Sequence, residues 1–354
     1  MPTDSAPRFG VWAVVSGAWA SRHHPDDPED ASWRRNRDLI LEAERLGFDS
    51  TLVAQHTINP SGHDKDQLEA WTASAALAAL TERIEVICAI KPYLYHPAVL
   101  AKMALQIEEI SEGRFAINLV NAWYKPELLN AGIGFPEHDQ RYAYGGEWLE
   151  VVRRLMAGER VSFQGEHFQV SDYELRPIDA YRARPRIYLG GESEPARALA
   201  AAQADVWFIN GQPPEVVKGL MDDVAARPRS GAPIRFGLSA FVIARETEKE
   251  AEEELAYAWE LAAQDKPDLE HVYRNADPKA VMFQTFQKYP HIGTNGGTAA
   301  GLVGSYDQVA ERIRQFHELG IELFMLQFQP FEREMRRFAE EVRPRVESLT
   351  AVGA

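Results

Sequence analysis

A (β/α)8, or TIM, barrel is the fold class that this sequence predicts, and three observations predict it. Eight short apolar runs are each followed by a longer amphipathic one, the pattern of repeated βα units around a parallel sheet. Glycines stand where helices should stop, at Gly47, Gly113, Gly158 and Gly320, three of them just before the next strand. A chain of 354 residues that is 45% hydrophobic can bury the core such a barrel needs.

The strand runs are 9–15, 50–54, 84–90, 114–120, 186–189, 206–209, 234–244 and 323–328. The helical runs are 33–46, 68–80, 98–110, 144–156, 194–202, 214–225, 247–262 with 306–319, and 331–346. Two stretches break the rhythm. Residues 160–177 alternate with period two about a Gly-centred turn, which predicts a β-hairpin inserted before strand five. Residues 266–304 are long, mixed and rich in Gly, Asn, His and Pro near their end. A loop of that length in a compact domain is usually functional. Its place after strand seven puts it on the C-terminal face, where barrel active sites lie, so an active-site lid is expected. The whole of 1–354 is expected to form one barrel domain with its core over about 9–346.

Composition narrows the function. A net charge of -15, from 53 acidic and 38 basic side chains, lacks the basic footprint of a nucleic-acid or anionic-membrane surface. The single cysteine, Cys88, sits in an apolar strand run, so neither an internal disulfide nor a thiolate metal cluster is expected. The first seven residues lack a charged-then-apolar leader, and no run of about 18 apolar residues could span a bilayer. A soluble cytoplasmic enzyme is the expectation.

The strand-four segment is the strongest candidate site. A strand buried on both faces reads as continuous Val, Ile and Leu, but here Asn118 interrupts it, and an unpaired buried carboxamide costs roughly 1–3 kcal/mol. Asn121, Trp123, Tyr124 and Glu127 continue from the barrel interior to its rim. The Gly190-Gly191-Glu192-Ser193 turn is a second candidate, because glycines before a helix N-terminus let a phosphate approach unpaired N–H groups. Ser193 there reads either as a plain N-cap or as a cap and phosphate donor, and the charges of Glu192 and Glu194 speak against a phosphate. His56 follows strand two on the catalytic face, where it could move a proton or donate to a ligand. His63, His96 and His138 also fall in βα loops, but neither HExxH nor His-x-His occurs, so no metal site is expected. Trp12, Trp19, Tyr93, Tyr95, Trp207, Phe208, Phe241 and Phe286 crowd the presumed mouth, which would suit a flat ligand.

At these residues the chain resembles the bacterial luciferase-like superfamily of flavin-dependent monooxygenases, closest to the alkanesulfonate and dimethyl sulfone monooxygenase group. The shared text is Ser-x-Gly-Arg-Phe-Ala-Ile-Asn-Leu-Val-x-x-Trp at 111–123, Glu-His-Asp-x-Arg-Tyr at 137–142, Phe-Gln-Gly-Glu-His-Phe at 163–168, Gly-Gly-x-Ser at 190–193 and Phe-Val-Ile-Ala-Arg-Glu-Thr at 241–247. The resemblance implies a TIM barrel binding FMN as FMNH2, with O2 as co-substrate and a separate NAD(P)H:FMN reductase as partner. It implies a flavin (hydro)peroxide that oxygenates a small organosulfur substrate, a sulfone or an alkanesulfonate. It implies cofactor contacts from Gln55, His56, Asn118, Glu127 and Gly191, with Arg141, Tyr142 and Ser193 on the phosphate. His56 and Asn121 are the implied catalytic residues, and Trp19, Trp123, Asn210, Ser239, Phe241 and Asn295 the substrate contacts. It also implies a homodimer or homotetramer. Ser239 and Asn295 stand where sulfonate enzymes carry arginines and Phe241 where they carry a histidine, which weakens a sulfonate, whereas 293–304 resembles the sulfonate group. Other branches leave open a deazaflavin-dependent oxidoreductase, a pyrimidine-opening monooxygenase, against which Ala89 tells, and a non-catalytic flavin binder.

Overall fold

Continuous apolar runs that must be buried on both faces become eight parallel strands closed on themselves. The computed structural model describes residues 6–352; residues 1–5, on which the leader reading partly rests, lie outside the described residues. The barrel strands are β1 (Arg8–Trp12), β2 (Ser50–Val53), β3 (Glu85–Ile90), β4 (Phe115–Leu119), β5 (Arg186–Gly190), β6 (Val206–Ile209), β7 (Arg235–Phe241) and β8 (Ile321–Gln327). They pair in parallel in sequence order, and β8 closes onto β1, with Phe9 opposite Phe324 and Val11 opposite Leu326. The expected strands hold to within a few residues at each end.

The interior is packed rather than open. Leu52, Ile87, Ala116, Tyr188, Val206, Phe208, Leu323 and Met325 fill it, with Tyr188 stacked on Phe208 at 5.2 Å. At the N-terminal end the Tyr188 hydroxyl donates to Glu85 at 2.8 Å, and Arg8 and Arg186 pair with the same carboxylate at 3.1 and 2.6 Å. That ion cluster seals one end, so a ligand can enter only from the other. Apolar stripes of the outer helices cover the strands, helped by local stop signals such as Gly320, whose φ of 112° ends helix Tyr306–Leu319.

The inserted hairpin is present, as strands Val161–Gln164 and Gln169–Tyr173 paired antiparallel. Three expectations need correction. The run 234–244 splits at Val242: β7 stays in the barrel, while Ile243–Arg245 leaves it to pair with Val303–Ser305. The stretch 266–304 is not one loop; it contains helices Lys266–Asn275 and Val281–Lys288 and a 3-10 turn, Gly297–Ala300. Pro267 and Asp268 at the start of the first helix are favourable there, a signal masked by the mixed composition around it. The helix expected at 144–156 begins earlier, at His138, with Asp139 in its first turn where an acidic side chain is favourable. No helix among the described residues is long and apolar enough to cross a membrane.

Candidate active site at the carboxyl ends of the strands

A cavity of about 200 Å3 opens above the packed interior, lined from β1 to β7 by residues at or just past each strand's end. Trp12 and Trp19 come from β1 and its loop, Gln55 and His56 follow β2, and Lys91 follows β3. Asn118, Asn121 and Trp123 come from β4 and its loop, Gly190 to Ser193 from β5, Asn210 from β6 and Ser239 from β7. The insertion after β7 supplies Lys279 to Met282, Thr294 and Asn295, which face the strands from above. A second chamber of about 230 Å3 lies beyond a shared wall that includes Trp19, His56, Trp123 and Asn295. Tyr273, Phe283, Phe286 and His291 line its far side.

Buried polar atoms of this cavity fall into two groups. In the first, every charge is paired. The Lys91 ammonium, 1% exposed, donates to the Glu127 carboxylate, itself fully buried, and lies 2.9 Å from His56 Nδ1. Glu127 also accepts the Thr57 N–H at 2.7 Å. Burial pushes the Glu127 carboxyl up, but the Lys91 charge and His56 outweigh it and hold it down at about 2. Burial, reinforced by the Lys91 charge, pushes His56 below its ordinary value. Nδ1 has the Lys91 ammonium, a donor only, at 2.9 Å and the Glu127 carboxylate farther off at 3.3 Å, and the closer contact assigns Nδ1 as acceptor and the proton to Nε2. Gln55 bonds the Lys91 N–H through its Oε1 at 2.8 Å, locking β2 to β3.

In the second group, buried polar atoms make no well-formed hydrogen bond within the protein. They are Trp12 Nε1, Asn118 Oδ1, both amide atoms of Asn121, Ser193 Oγ and Ser239 Oγ, with the Tyr142 hydroxyl in loose contact with Asn121 and Ser193. Ser193 stands at the N-cap of helix Glu194–Gln203, yet its side chain makes no capping bond. Gly191 has φ 121°, and a Cβ there would meet Tyr142 Oη at 3.1 Å, so the bare turn brings the tyrosine hydroxyl against it. Burial raises the Tyr142 hydroxyl's pKa and keeps it a donor. Each unsatisfied buried group costs roughly 1–3 kcal/mol, and six atoms in one cavity are a surface shaped for a ligand.

Twelve of the residues named from sequence meet here: Gln55, His56, Asn118, Asn121, Tyr142, Gly191, Ser193, Trp19, Trp123, Asn210, Ser239 and Asn295. Three do not line the cavity. Glu127 stands behind it, holding Lys91 and His56. Arg141, 2% exposed, donates from its two terminal nitrogens to Asp277 and to the Pro136 carbonyl at 2.6 Å, while its Nε is buried without a partner, and the residue does not line the cavity. Phe241, 1% exposed, packs with Ile243, Ala251 and Ile292 instead of facing a substrate. The objection from Glu192 and Glu194 also weakens. Glu194 is exposed and pairs with Arg227 at 2.8 Å, and burial pushes the Glu192 carboxyl up to about 7.

Sequence reasoning missed Lys91 and Lys279. A lysine directly after an all-apolar strand was a usable signal for Lys91, because a charge at a barrel strand's C-terminal end needs a partner. Nothing local marks Lys279.

A closed parallel barrel, sealed at one end and opening at the other onto aromatic walls and unpaired hydrogen-bonding groups, defines a TIM-barrel enzyme with a flat, polar ligand. The chain belongs to the luciferase-like monooxygenase family, which matches residues 10–323. It is 34% identical over 355 residues to a Pseudomonas putida protein named FMNH2-dependent dimethylsulfone monooxygenase, covering 97% of this chain and 96% of that one. A protein of the same name from Pseudomonas fluorescens (strain Pf0-1) is 32% identical over 362 residues, covering 99% and 97%. The crystal structure of a long-chain alkane monooxygenase shares the fold, with a TM-score of 0.80 at 20% identity over 98% of this chain and 92% of that one.

Proposed function

We propose that this chain is a two-component monooxygenase that takes reduced FMN from a separate NAD(P)H:FMN reductase and oxygenates a small, uncharged organosulfur compound of the sulfone type. The observation that carries this reading is the set of unpartnered polar atoms on aromatic walls, with no free cation in the second chamber among the described residues. The two relatives named as dimethylsulfone monooxygenases, each similar along nearly the whole chain, support it.

The residues fit the cofactor. A flavin carries donors and acceptors along a planar ring and a phosphate at its other end. Asn118 Oδ1 and Trp12 Nε1 would meet the ring's polar edge, and Ser193, Tyr142 and the bare turn at Gly190 and Gly191 would meet the phosphate end. Reduced FMN, when bound, supplies the electrons and the oxygen-activating centre of this chemistry. His56, held neutral with Nε2 protonated, would donate to a developing negative charge beside Trp123, whose ring stands 5.5 Å from it edge to face. Asn121, with both amide atoms unpartnered, would bind substrate or oxygen. The aromatic chamber would receive the substrate and exclude water, closed by the insertion as a lid.

Charge selects among organosulfur compounds. Arg22, the arginine of the second chamber, is paired with Glu29 at 3.1 Å and Asp268 at 3.4 Å, leaving it no capacity to balance a sulfonate. A sulfone needs only hydrogen bonds, which Asn121, Asn210 and Asn295 could give. The test is a reductase-coupled assay under 18O2 with FMN and NAD(P)H, offering dimethyl sulfone and methanesulfonate separately. Label should enter the sulfone product only when FMN and reductase are both present. Turnover of the sulfonate with the sulfone ignored would overturn the uncharged class.

A further inference from the structure

Beside the cavity runs an open groove of about 490 Å3 that shares His138, Glu192, Ser193, Lys279 and Val281 with it. The groove lies at the N-terminus of helix Glu194–Gln203, where backbone N–H groups and the helix dipole favour an anion. Hydroxyl donors face this turn. Ser193 Oγ makes no capping bond, and the Tyr142 hydroxyl, in contact with Ser193, stands 3.1 Å from where a Cβ on Gly191 would be.

A phosphate monoester at such a turn wants a countercharge, and Arg141, paired with Asp277, lines neither groove nor cavity. The surrounding charges settle which group remains. Glu194 is paired with Arg227, and the exposed Asp139 lies 2.8 Å from His138 Nδ1 and also feels the Lys279 charge without forming an ion pair with it. Glu192 accepts the Asn210 N–H at 2.7 Å and the Gln212 amide at 3.1 Å, and its burial favours the neutral acid. Arg197 is held by Asp223 at 2.7 Å and the Glu192 carbonyl. Among the described residues, Lys279 is the one Lys or Arg lining groove or cavity that forms no ion pair.

Its position is fixed from behind. Asp277 Oδ1 accepts the Lys279 N–H at 3.0 Å while Arg141 donates to the other carboxylate oxygen. The Asp277 N–H in turn donates to the Trp123 carbonyl at 2.7 Å, tying the insertion to the loop after β4. We propose that Lys279 is the cation that pairs with the phosphate of the bound flavin, and that the Arg141–Asp277 pair is the latch that aims it there. The inference rests on the reduced-FMN reading above. It assigns Arg141 an indirect part in phosphate binding and makes the insertion a wall of the cofactor site as well as of the substrate chamber.

Reduced FMN and reduced riboflavin differ by the phosphate alone, so their affinity ratio isolates the claim. Anaerobic titration of both, followed by tryptophan fluorescence, should show wild-type protein preferring FMN. Lys279→Met should cut FMN affinity roughly tenfold and leave riboflavin unchanged, as loss of one charge-assisted contact predicts. Lys279→Arg should keep most of the preference, and Asp277→Asn should lose part of it. An unchanged FMN-to-riboflavin ratio in Lys279→Met, with wild type preferring FMN, overturns this inference and leaves the FMN reading standing. Binding of neither flavin by wild type overturns both.

Discussion

Two polar groups of residues share one cavity wall and treat burial in opposite ways. Lys91, Glu127 and His56 form a closed set in which each charge has its partner within the protein. Trp12, Asn118, Asn121, Ser193 and Ser239 form an open set of neutral groups without a well-formed bond in the protein, Asn121 and Ser193 having only loose contact with the Tyr142 hydroxyl. A charge left unpaired in the interior costs far more than a neutral group, so charges must be settled by the fold itself. Neutral groups can be left pending at an affordable cost until a ligand arrives. The closed set therefore shapes the site, and the open set binds.

The comparison breaks most visibly at Lys91. Lys91→Met strands the Glu127 carboxylate without its cation and should cost about 3–5 kcal/mol in urea unfolding. Adding Glu127→Leu should recover much of that loss, because replacing both members of a buried pair is far gentler than removing one. If the double variant is no more stable than the single, the pair is not what holds this wall.

Glu192 lies between the two sets, its carboxyl held by hydrogen bonds but in no ion pair, with Arg197 bound to its carbonyl instead. Burial raises its carboxyl from 4.5 to about 7, so the folded protein keeps a proton that the unfolded chain gives up. Its contribution favours folding most at and below pH 4.5, and it declines as pH rises through the window up to about 7. Glu192→Gln should remove that slope. Relative to wild type, the ligand-free variant should gain roughly 2–3 kcal/mol between pH 4.5 and pH 8, read from urea midpoints at each pH. Parallel stability curves for the two proteins would show that Glu192 is ionised throughout.

What could be read from sequence divides along the same line. Strands buried on both faces write themselves as apolar runs, and an asparagine inside one is visible by contrast, which is why Asn118 stood out. The Gly190–Ser193 turn at the cavity was legible because glycines, a serine and a helix start are local. The closed set was legible only in part, since His56 and Glu127 stood out singly but their meeting with Lys91 did not. Lys91, Glu127 and His56 arrive from three different βα loops, and sequence carries no mark of which buried charges will meet. Arg141 shows the cost of a misplaced helix start. Once helix His138–Met156 is known to include 141 and 142, the two residues lie about 100° apart around its axis and cannot face one ligand together. Tyr142 takes the cavity, and Arg141 turns to Asp277, a partner 136 residues away.

The smallest expected effect on the fold is at Asn118, and it is the sharpest test of the open set. Its Oδ1 is buried without a partner in the ligand-free protein, on a strand flanked by Ala89 and Tyr188. A core asparagine that served the fold would lose stability on replacement, because its partners would be left unpaired. Asn118→Leu removes an unsatisfied acceptor instead, so ligand-free stability should stay level or rise by about 1 kcal/mol. The same change should weaken reduced FMN about tenfold, the worth of roughly one 1.4 kcal/mol contact. Stability and affinity thus move in opposite directions, an outcome that a general packing defect does not produce. Loss of both together would place Asn118 in the closed set and leave the flavin edge to other residues.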